Sequence, residues 1–305
     1  MFVVSPRLGL CNQLFSIVKS ILLGVHYGRN VYISQFQKNY GDYNSLCDIN
    51  EILNIDKINN FLLEHNVYNC KVISSFDLTN YDFSSFYMPN VDYERLPHMN
   101  YINNYIDENL HKEIIYLGNP VSLCINQSFG WSWNDYTNLY YLLSGNSFFQ
   151  DKFYALKDEI KCKNNLYEYA TVHLRIEDDM LDYASNVLHK IPLQEYNDKL
   201  LGYYNNKISN INKKIYVCSG ILSYNNTINY DYYRNLKNNN NLICDKEHIS
   251  IEDYYTNNRE LISIVDLLIA YDSNEFVGCI DSTFSLMVCM YFTLHNKNNT
   301  DLFRV

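Results

Sequence analysis

Arg175, Glu177, Asp178 and Asp179 stand together directly after the alternating stretch A-T-V-H-L that begins at Ala170. A guanidinium can grip a phosphate through two parallel N–H bonds. It can also meet the negative charge that grows on a departing diphosphate. A carboxylate beside it can take the proton from an attacking hydroxyl. Arg175, Glu177 and Asp179 are therefore the candidate catalytic residues. Arg is scarce, with seven in 305 residues, so one at a strand end is informative. The plainer reading is a structural ion pair between Arg175 and a neighbouring carboxylate. His173 falls on the same side of the strand as Arg175, either as a second donor to the ligand or as a packed core histidine.

Two further stretches suit an anion. Ser5 to Asn12, S-P-R-L-G-L-C-N, links a short strand to a helix. Backbone N–H groups at a helix start bind anions, and Arg7 and Asn12 can add side-chain donors, although a plain strand-to-helix turn has the same pattern. Asp281-Ser282-Thr283-Phe284-Ser285 stands in the equivalent place near the C-terminus. Asp281, Ser282, Thr283 and Ser285 either contact phosphate or simply cap the helix. A third stretch, with Phe129, Trp131 and Trp133, can stack on sugar or pack in a core. There is no G-x-G-x-x-G, no Walker A and no G-x-S-x-G. The nine Cys are scattered without C-x-x-C or a zinc-like Cys/His spacing, so no metal site is expected.

The elements that must position these residues alternate in type. Phe2–Val4 reads as a strand, Gln13–Tyr27 as a helix closed by Gly28, and Asn30–Ser34 as a strand. A capping box at Asp48–Glu51 predicts a helix to about Leu63. Lys71–Ile73 and Val121–Ile125 read as strands, Asp107–Tyr116 as a weak helix, and Tyr136–Lys161 as mostly helical. The second half gives helix at Pro192–Tyr204, strand at Lys214–Ser219, helix at Tyr230–Leu236 and strand at Asn241–Cys244. Helix follows at Arg259–Ala270, strand at Glu275–Ile280 and helix at Thr283–Leu294. Strand and helix in alternation mean parallel sheets. Two α/β domains are expected, residues 1–160 and 161–305.

Composition narrows the function. The net charge is −10, from 24 basic and 34 acidic residues, which argues against nucleic acid or an anionic membrane as partner. The N-terminus lacks a basic segment followed by a long apolar one, and no apolar run reaches the ~18 residues of a membrane span. A soluble, cytoplasmic protein is expected, and the unpaired pattern of Cys fits a reducing compartment. The abundance of Asn and the 30 Tyr reflect AT-rich coding and carry no functional signal.

V-H-L-R-I-E-D-D-M-L-D-Y, from Val172, resembles the H-L-R-x-E-x-D-M-L-x-[FY] signature of the plant-type protein O-fucosyltransferase-like family, which also includes pectin rhamnosyltransferases. G-L-C-N-Q from Gly9 is similar to the family's N-Q turn, and I-Y-V-C-S-G from Ile215 to its I-Y-L-x-x-G strand. F-V-G-C-I-D-S-T-F-S-L-M-V from Phe276 resembles its closing segment, with Asp266 on the preceding helix also matched. The family's S-G-C after the signature is replaced by Ala184-Ser185-Asn186, and residues 35–165 carry no match. The resemblance implies a GT-B fold, two facing Rossmann-like domains with parallel sheets. It implies an inverting, metal-independent glycosyltransferase without a cofactor. The co-substrate is a nucleotide sugar, GDP-fucose first, and the acceptor a hydroxyl of a protein or glycan. A UDP-rhamnose enzyme and a catalytically silent glycan- or nucleotide-binding relative are the alternatives. By the same resemblance, Arg175 holds the donor diphosphate with help from Ser282, Thr283 and Ser285. Asp266 reads the base, and Asn12 faces the cleft from the first domain.

Overall fold

The computed structural model describes residues 1–39, 42–81, 83–84, 98–118, 148–221, 228–246 and 258–305. The expected strand at 121–125, the aromatic loop with Trp131 and Trp133, and the helix begun at 136 lie outside them, up to residue 147. The chain divides into two compact units, Met1–Asp151 and Lys152–Val305. The helix Asp151–Lys163 thus starts at the division, and its length belongs with the second unit.

In the first unit, strands β1 (Phe2–Val4), β2 (Val31–Ile33), β5 (Val72–Ile73), β6 (Phe83–Ser84) and β7 (Ile114–Gly118) form one sheet in the order β5-β2-β1-β7-β6. Every pairing in it is parallel. Helix α1 (Leu10–Tyr27) is buried along most of its length, as a helix laid on the middle of a parallel sheet must be. It ends as expected at Gly28, whose φ of 63° is a left-handed conformation that a side chain would strain, and whose N–H returns to Gly24 O. Strands β3 (Gln35–Asn39) and β4 (Asp42–Asp48) form an antiparallel hairpin that the sequence did not announce. Its residues are largely polar and no Asn-Gly or Asp-Gly turn marks it.

Two expectations in this unit need correction. The Asp48–Glu51 capping box is present, but it closes only a single 3₁₀ turn, Ile49–Glu51. Helix α2 (Ile55–Glu64) starts afresh, with the Asn54 side chain accepting from Lys57 N–H. Between them the backbone is taken by tertiary bonds: Asn54 N–H to Phe148 O and Gln150 N–H to Ile52 O. The weak helix expected at 107–116 is the end of α3 (His98–Glu108) followed by β7. The I-I-Y-L run there pairs with β1, Ile115 opposite Phe2, and that pairing overrides the helical pattern.

The second unit opens with α4 (Asp151–Lys163). Strands β8 (Tyr169–His173), β9 (Lys214–Cys218), β10 (Ile243–Cys244), β11 (Glu275–Cys279) and β12 (Thr300–Phe303) follow, in the order β10-β9-β8-β11-β12. All pairings are again parallel. Chain order runs outward from β8 to β10 on one side and continues from β11 to β12 on the other. The order therefore reverses between β8 and β11, and a crevice at that switch point is where open α/β sheets bind ligands. The helices are α5 (Asp178–Tyr183), α6 (Leu193–Ser209), α7 (Tyr230–Asn239), α8 (Arg259–Asp272) and α9 (Thr283–Leu294).

All five residues of β8 are buried, because both faces of the sheet are covered. Ala170 and Val172 share a core with Tyr196, Leu200 and Tyr204 of α6. On the other face, Tyr169 OH bonds Ile269 O of α8, and the His173 ring lies 4.5 Å from the Phe284 ring of α9. The alternation seen from Ala170 thus separates two kinds of core.

Candidate functional site

The bend after β8 is fixed at each residue from Leu174 to Asp178. Leu174 N–H bonds Cys218 O, and Leu174 O accepts from Ser219 Oγ. The buried Tyr204 hydroxyl donates to His173 O at 2.7 Å and accepts from Arg175 N–H. Asn229 Nδ2 donates to Ile176 O, and Asp178 Oδ1 accepts from Ile228 N–H. This backbone cannot drift without breaking several bonds at once, so it presents Arg175 in one orientation.

Arg175 Nη1 donates to Glu177 Oε2 at 2.7 Å, and Nη2 lies 3.5 Å from Asp179 Oδ2. The ion pair weighed from the sequence is therefore real. Glu177 is 1% exposed. Its other oxygen accepts from Gly220 N–H at 2.5 Å, and Ser219 Oγ lies 3.4 Å from it. A Cβ on Gly220 would stand 2.7 Å from that oxygen, so only glycine lets the backbone come so close. Burial pushes the Glu177 carboxyl up, but the guanidinium groups of Arg175 and Arg259 and its hydrogen bonds prevail and hold it below its usual range. Asp179, at 35% exposed, is the more accessible of the two carboxylates.

The turn from β11 to α9 meets this bend at the switch point. His173 Nδ1 lies 2.9 Å from Ser285 Oγ, which also accepts from Cys279 N–H. Burial, with the positive charges of Arg175 and Lys246, lowers His173 well below its usual 6.5, so the ring is neutral. The Ser285 hydroxyl is fully buried and committed to protein partners. Its backbone is not. Helix α9 has no side-chain cap at Ser282, and among the described residues the N–H groups of Thr283, Phe284 and Ser285 make no hydrogen bond. Uncapped N–H groups at a helix start are where an anion is stabilised. The hydroxyls of Ser282 and Thr283 stand beside them.

The remaining candidates are placed differently. Asp281 Oδ2 accepts from His189 Nε2 at 2.8 Å and from Tyr196 OH at 3.0 Å. Asp266, on α8, has both oxygens engaged, one by Tyr216 OH at 2.8 Å and the other by the Lys246 ammonium. It is 3% exposed, and burial raises its carboxyl against the pull of Lys246 and Tyr216. Among the described residues, no three His, Cys, Asp or Glu side chains gather as metal ligands.

In the first unit, Arg7 Nη1 donates to Pro6 O. Asn12 lies part-buried in the first turn of α1, with no side-chain hydrogen bond among the described residues. What holds this loop is a pair of glutamines. Gln13 Nε2 donates to Leu8 O and Gln37 O, and Gln13 Oε1 accepts from Gln37 N–H. Gln37 Oε1 accepts from Leu8 N–H. Both side chains are fully buried, and Leu8 is held at φ 77°, a left-handed conformation unusual for a branched residue. Gln37→Ala is expected to destabilise the chain by about 2–3 kcal/mol, because it leaves buried backbone and amide groups unpaired. Gln37→Glu, which keeps the acceptor for Leu8, is expected to cost less at low pH than at pH 7. Urea unfolding at two pH values checks both.

Several participants carry weaker signals in the sequence. Ser219 and Gly220 lie in the I-Y-V-C-S-G strand, within a matched segment. Arg259 reaches Gly220, with Nη2 3.5 Å from where a Cβ would be, although it lies far along the chain. Tyr204 and His189 carry no local signal.

No family model matches the chain, and no curated protein matches it. Solved structures do. A crystal structure of POFUT1 in complex with GDP-fucose matches with a TM-score of 0.60 at 11% identity, covering 100% of this chain and 97% of that one. NodZ alpha-1,6-fucosyltransferase co-crystallised with GDP matches with a TM-score of 0.55 at 11% identity, over 94% of this chain and 91% of that one. Fucosyltransferase NodZ from Bradyrhizobium gives 0.54 at 12%, with the same coverage. Among the described residues, no helix is long and apolar enough to cross a membrane. Two parallel α/β sheets and a likeness that runs the length of the chain establish the GT-B fold expected from the sequence.

Proposed function

We propose that the chain is an inverting, metal-independent fucosyltransferase that transfers a 6-deoxysugar from GDP-fucose to a hydroxyl of a protein or glycan. The observation that carries this reading is the meeting, at the switch point of the second sheet, of the bend that bears Arg175 with the uncapped start of α9, joined through His173 and Ser285. It occurs in a fold that POFUT1 uses with GDP-fucose bound. In this reading Arg175 and the N–H groups of Thr283, Phe284 and Ser285 receive the diphosphate, aided by the Ser282 and Thr283 hydroxyls.

Leaving-group chemistry follows from charge. As the glycosidic bond stretches, electrons move onto the diphosphate oxygen and the sugar becomes cationic. Donors fixed beforehand stabilise that oxygen without reorganising. Glu177 is buried and fully bonded, so its part is to orient Arg175. If a carboxylate of this cluster takes the acceptor proton, it is the more exposed Asp179.

Differential scanning fluorimetry with GDP, GDP-fucose, UDP and UDP-rhamnose tests the reading. GDP at about 100 times its Kd stabilises by about 2.7 kcal/mol, which raises Tm by roughly 5–10 °C in a domain of this size. UDP is expected to leave Tm unchanged. A shift with UDP and none with GDP would establish the rhamnose alternative instead. Binding without turnover of any donor would establish the silent relative.

A further inference from the structure

We propose that His189 is a positioning residue that holds the Asp281 carboxylate away from the bound diphosphate. The inference rests on the donor site described above. Asp281 directly precedes Ser282, the residue at the start of α9. Asp281 thus stands directly before three N–H groups that lack partners among the described residues, and uncapped helix N–H groups attract a carboxylate. Yet Asp281 does not cap the helix. Its Oδ2 is turned to His189 Nε2 at 2.8 Å and Tyr196 OH at 3.0 Å, with Cys279 Sγ at 3.8 Å. The carboxylate only accepts, so both partners donate to it.

His189 reaches this place by an unusual path. Helix α5 runs without a break into a π-helix, Ala184–His189, and the next residue, Lys190, has φ 55°. A π turn widens the helix and rotates every later side chain, and a left-handed Lys is an unfavourable stop. The result is a His189 ring stacked on Tyr196, with centroids 5.5 Å apart at 19°, and its Nε2 aimed at Asp281. Local strain thus serves one contact at the edge of the candidate site.

The consequence is competition. Without His189, Asp281 loses one of its two principal donors. The open donors next to it along the chain are then the N–H groups of α9. A carboxylate bound there fills the phosphate position and repels the nucleotide. His189 governs donor affinity through Asp281 and not by touching the donor.

Isothermal titration of the full chain with GDP tests this. His189→Ala is expected to weaken GDP binding by about tenfold or more. Adding Asp281→Asn to that variant is expected to restore binding to within about threefold of wild type, because a neutral amide competes poorly for the N–H groups. His189→Gln keeps an N–H donor at the same reach, and wild-type affinity is expected. Thermal unfolding confirms that each variant is folded at the titration temperature. If His189→Ala binds GDP as wild type does, or the double variant stays as weak as the single one, the proposal is overturned. A His189→Gln as weak as His189→Ala also overturns it. If the wild type itself binds neither GDP nor pyrophosphate, the donor-site reading fails first, a result visible before any variant is made.

Discussion

Arg175→Ala is expected to lower donor turnover by about 10²–10³-fold, the loss seen when one fixed donor to a developing oxyanion is removed. The guanidinium has two tasks, and they must be separated. It pairs with the buried Glu177, so its removal also leaves that interior carboxylate without its paired guanidinium. Arg175→Lys separates them. The ammonium restores the charge opposite Glu177 but lacks the planar fork that meets two oxygens at once. Stability is expected to recover in large part while turnover stays low. Donor hydrolysis and transfer, measured per folded molecule, distinguish the two tasks. Full turnover in both variants, with only Tm reduced, would mean that the ion pair is structural and nothing more.

Glu177→Ala is the larger structural loss. Glu177 holds Arg175 on one oxygen and Gly220 N–H with Ser219 Oγ on the other. Stripping one partner from a buried ion pair costs about 3–5 kcal/mol, and here Gly220 N–H is orphaned as well. Chemical unfolding should show that loss, and activity should fall with it because Arg175 then loses its shortest side-chain bond. The pH dependence gives a second check. Glu177 is held below its ordinary value of 4.5 in the folded chain. Its stabilisation is therefore complete above that value and is lost as pH falls through the folded value. His173, lowered below 6.5, works in the same direction from a higher pH, since unfolding lets it charge. The wild type should lose stability in two regions, first below about 6.5 and again below about 4.5. Glu177→Gln should weaken the second, to which the likewise lowered Asp272 and Asp301 also contribute, and leave the first. An unchanged acid limb in Glu177→Gln would count against the buried pair.

The second half of the site is legible in the sequence because its signals are local. An apolar strand ending in Arg175 and a strand ending in D-S-T-F-S each reveal themselves within a dozen residues. Helix α9 has the limits its pattern predicts, Thr283–Leu294, because an apolar run between a cap-rich turn and a polar tail leaves little choice. What the pattern does not carry is pairing over distance. Glu177 meets Gly220 and Asp281 meets His189 through the order of strands in the sheet. No window along the chain contains both partners. The same holds for Asp266, which lies on a helix of apolar pattern and is neutralised by Lys246 from the end of β10. The β3–β4 hairpin escapes the pattern for another reason. Its strands are mostly polar, and among the described residues the buried Phe36, Gln37 and Cys47 tie it to the core.

The strand order of the second unit also sets when the site can exist during synthesis. β8 is the first strand made and lies in the middle of its sheet. β9 and β10 add to one of its edges soon afterwards. Its other edge stays open until Glu275 has left the ribosome, because only β11 pairs there. Translation at ~5–20 residues per second makes that an interval of seconds, during which the strand that carries Arg175 has one row of backbone groups unpaired. A nascent chain halted before β11 holds the arginine but not the helix start that answers it. The proposed donor site is thus assembled only after β11 and the start of α9 have joined β8.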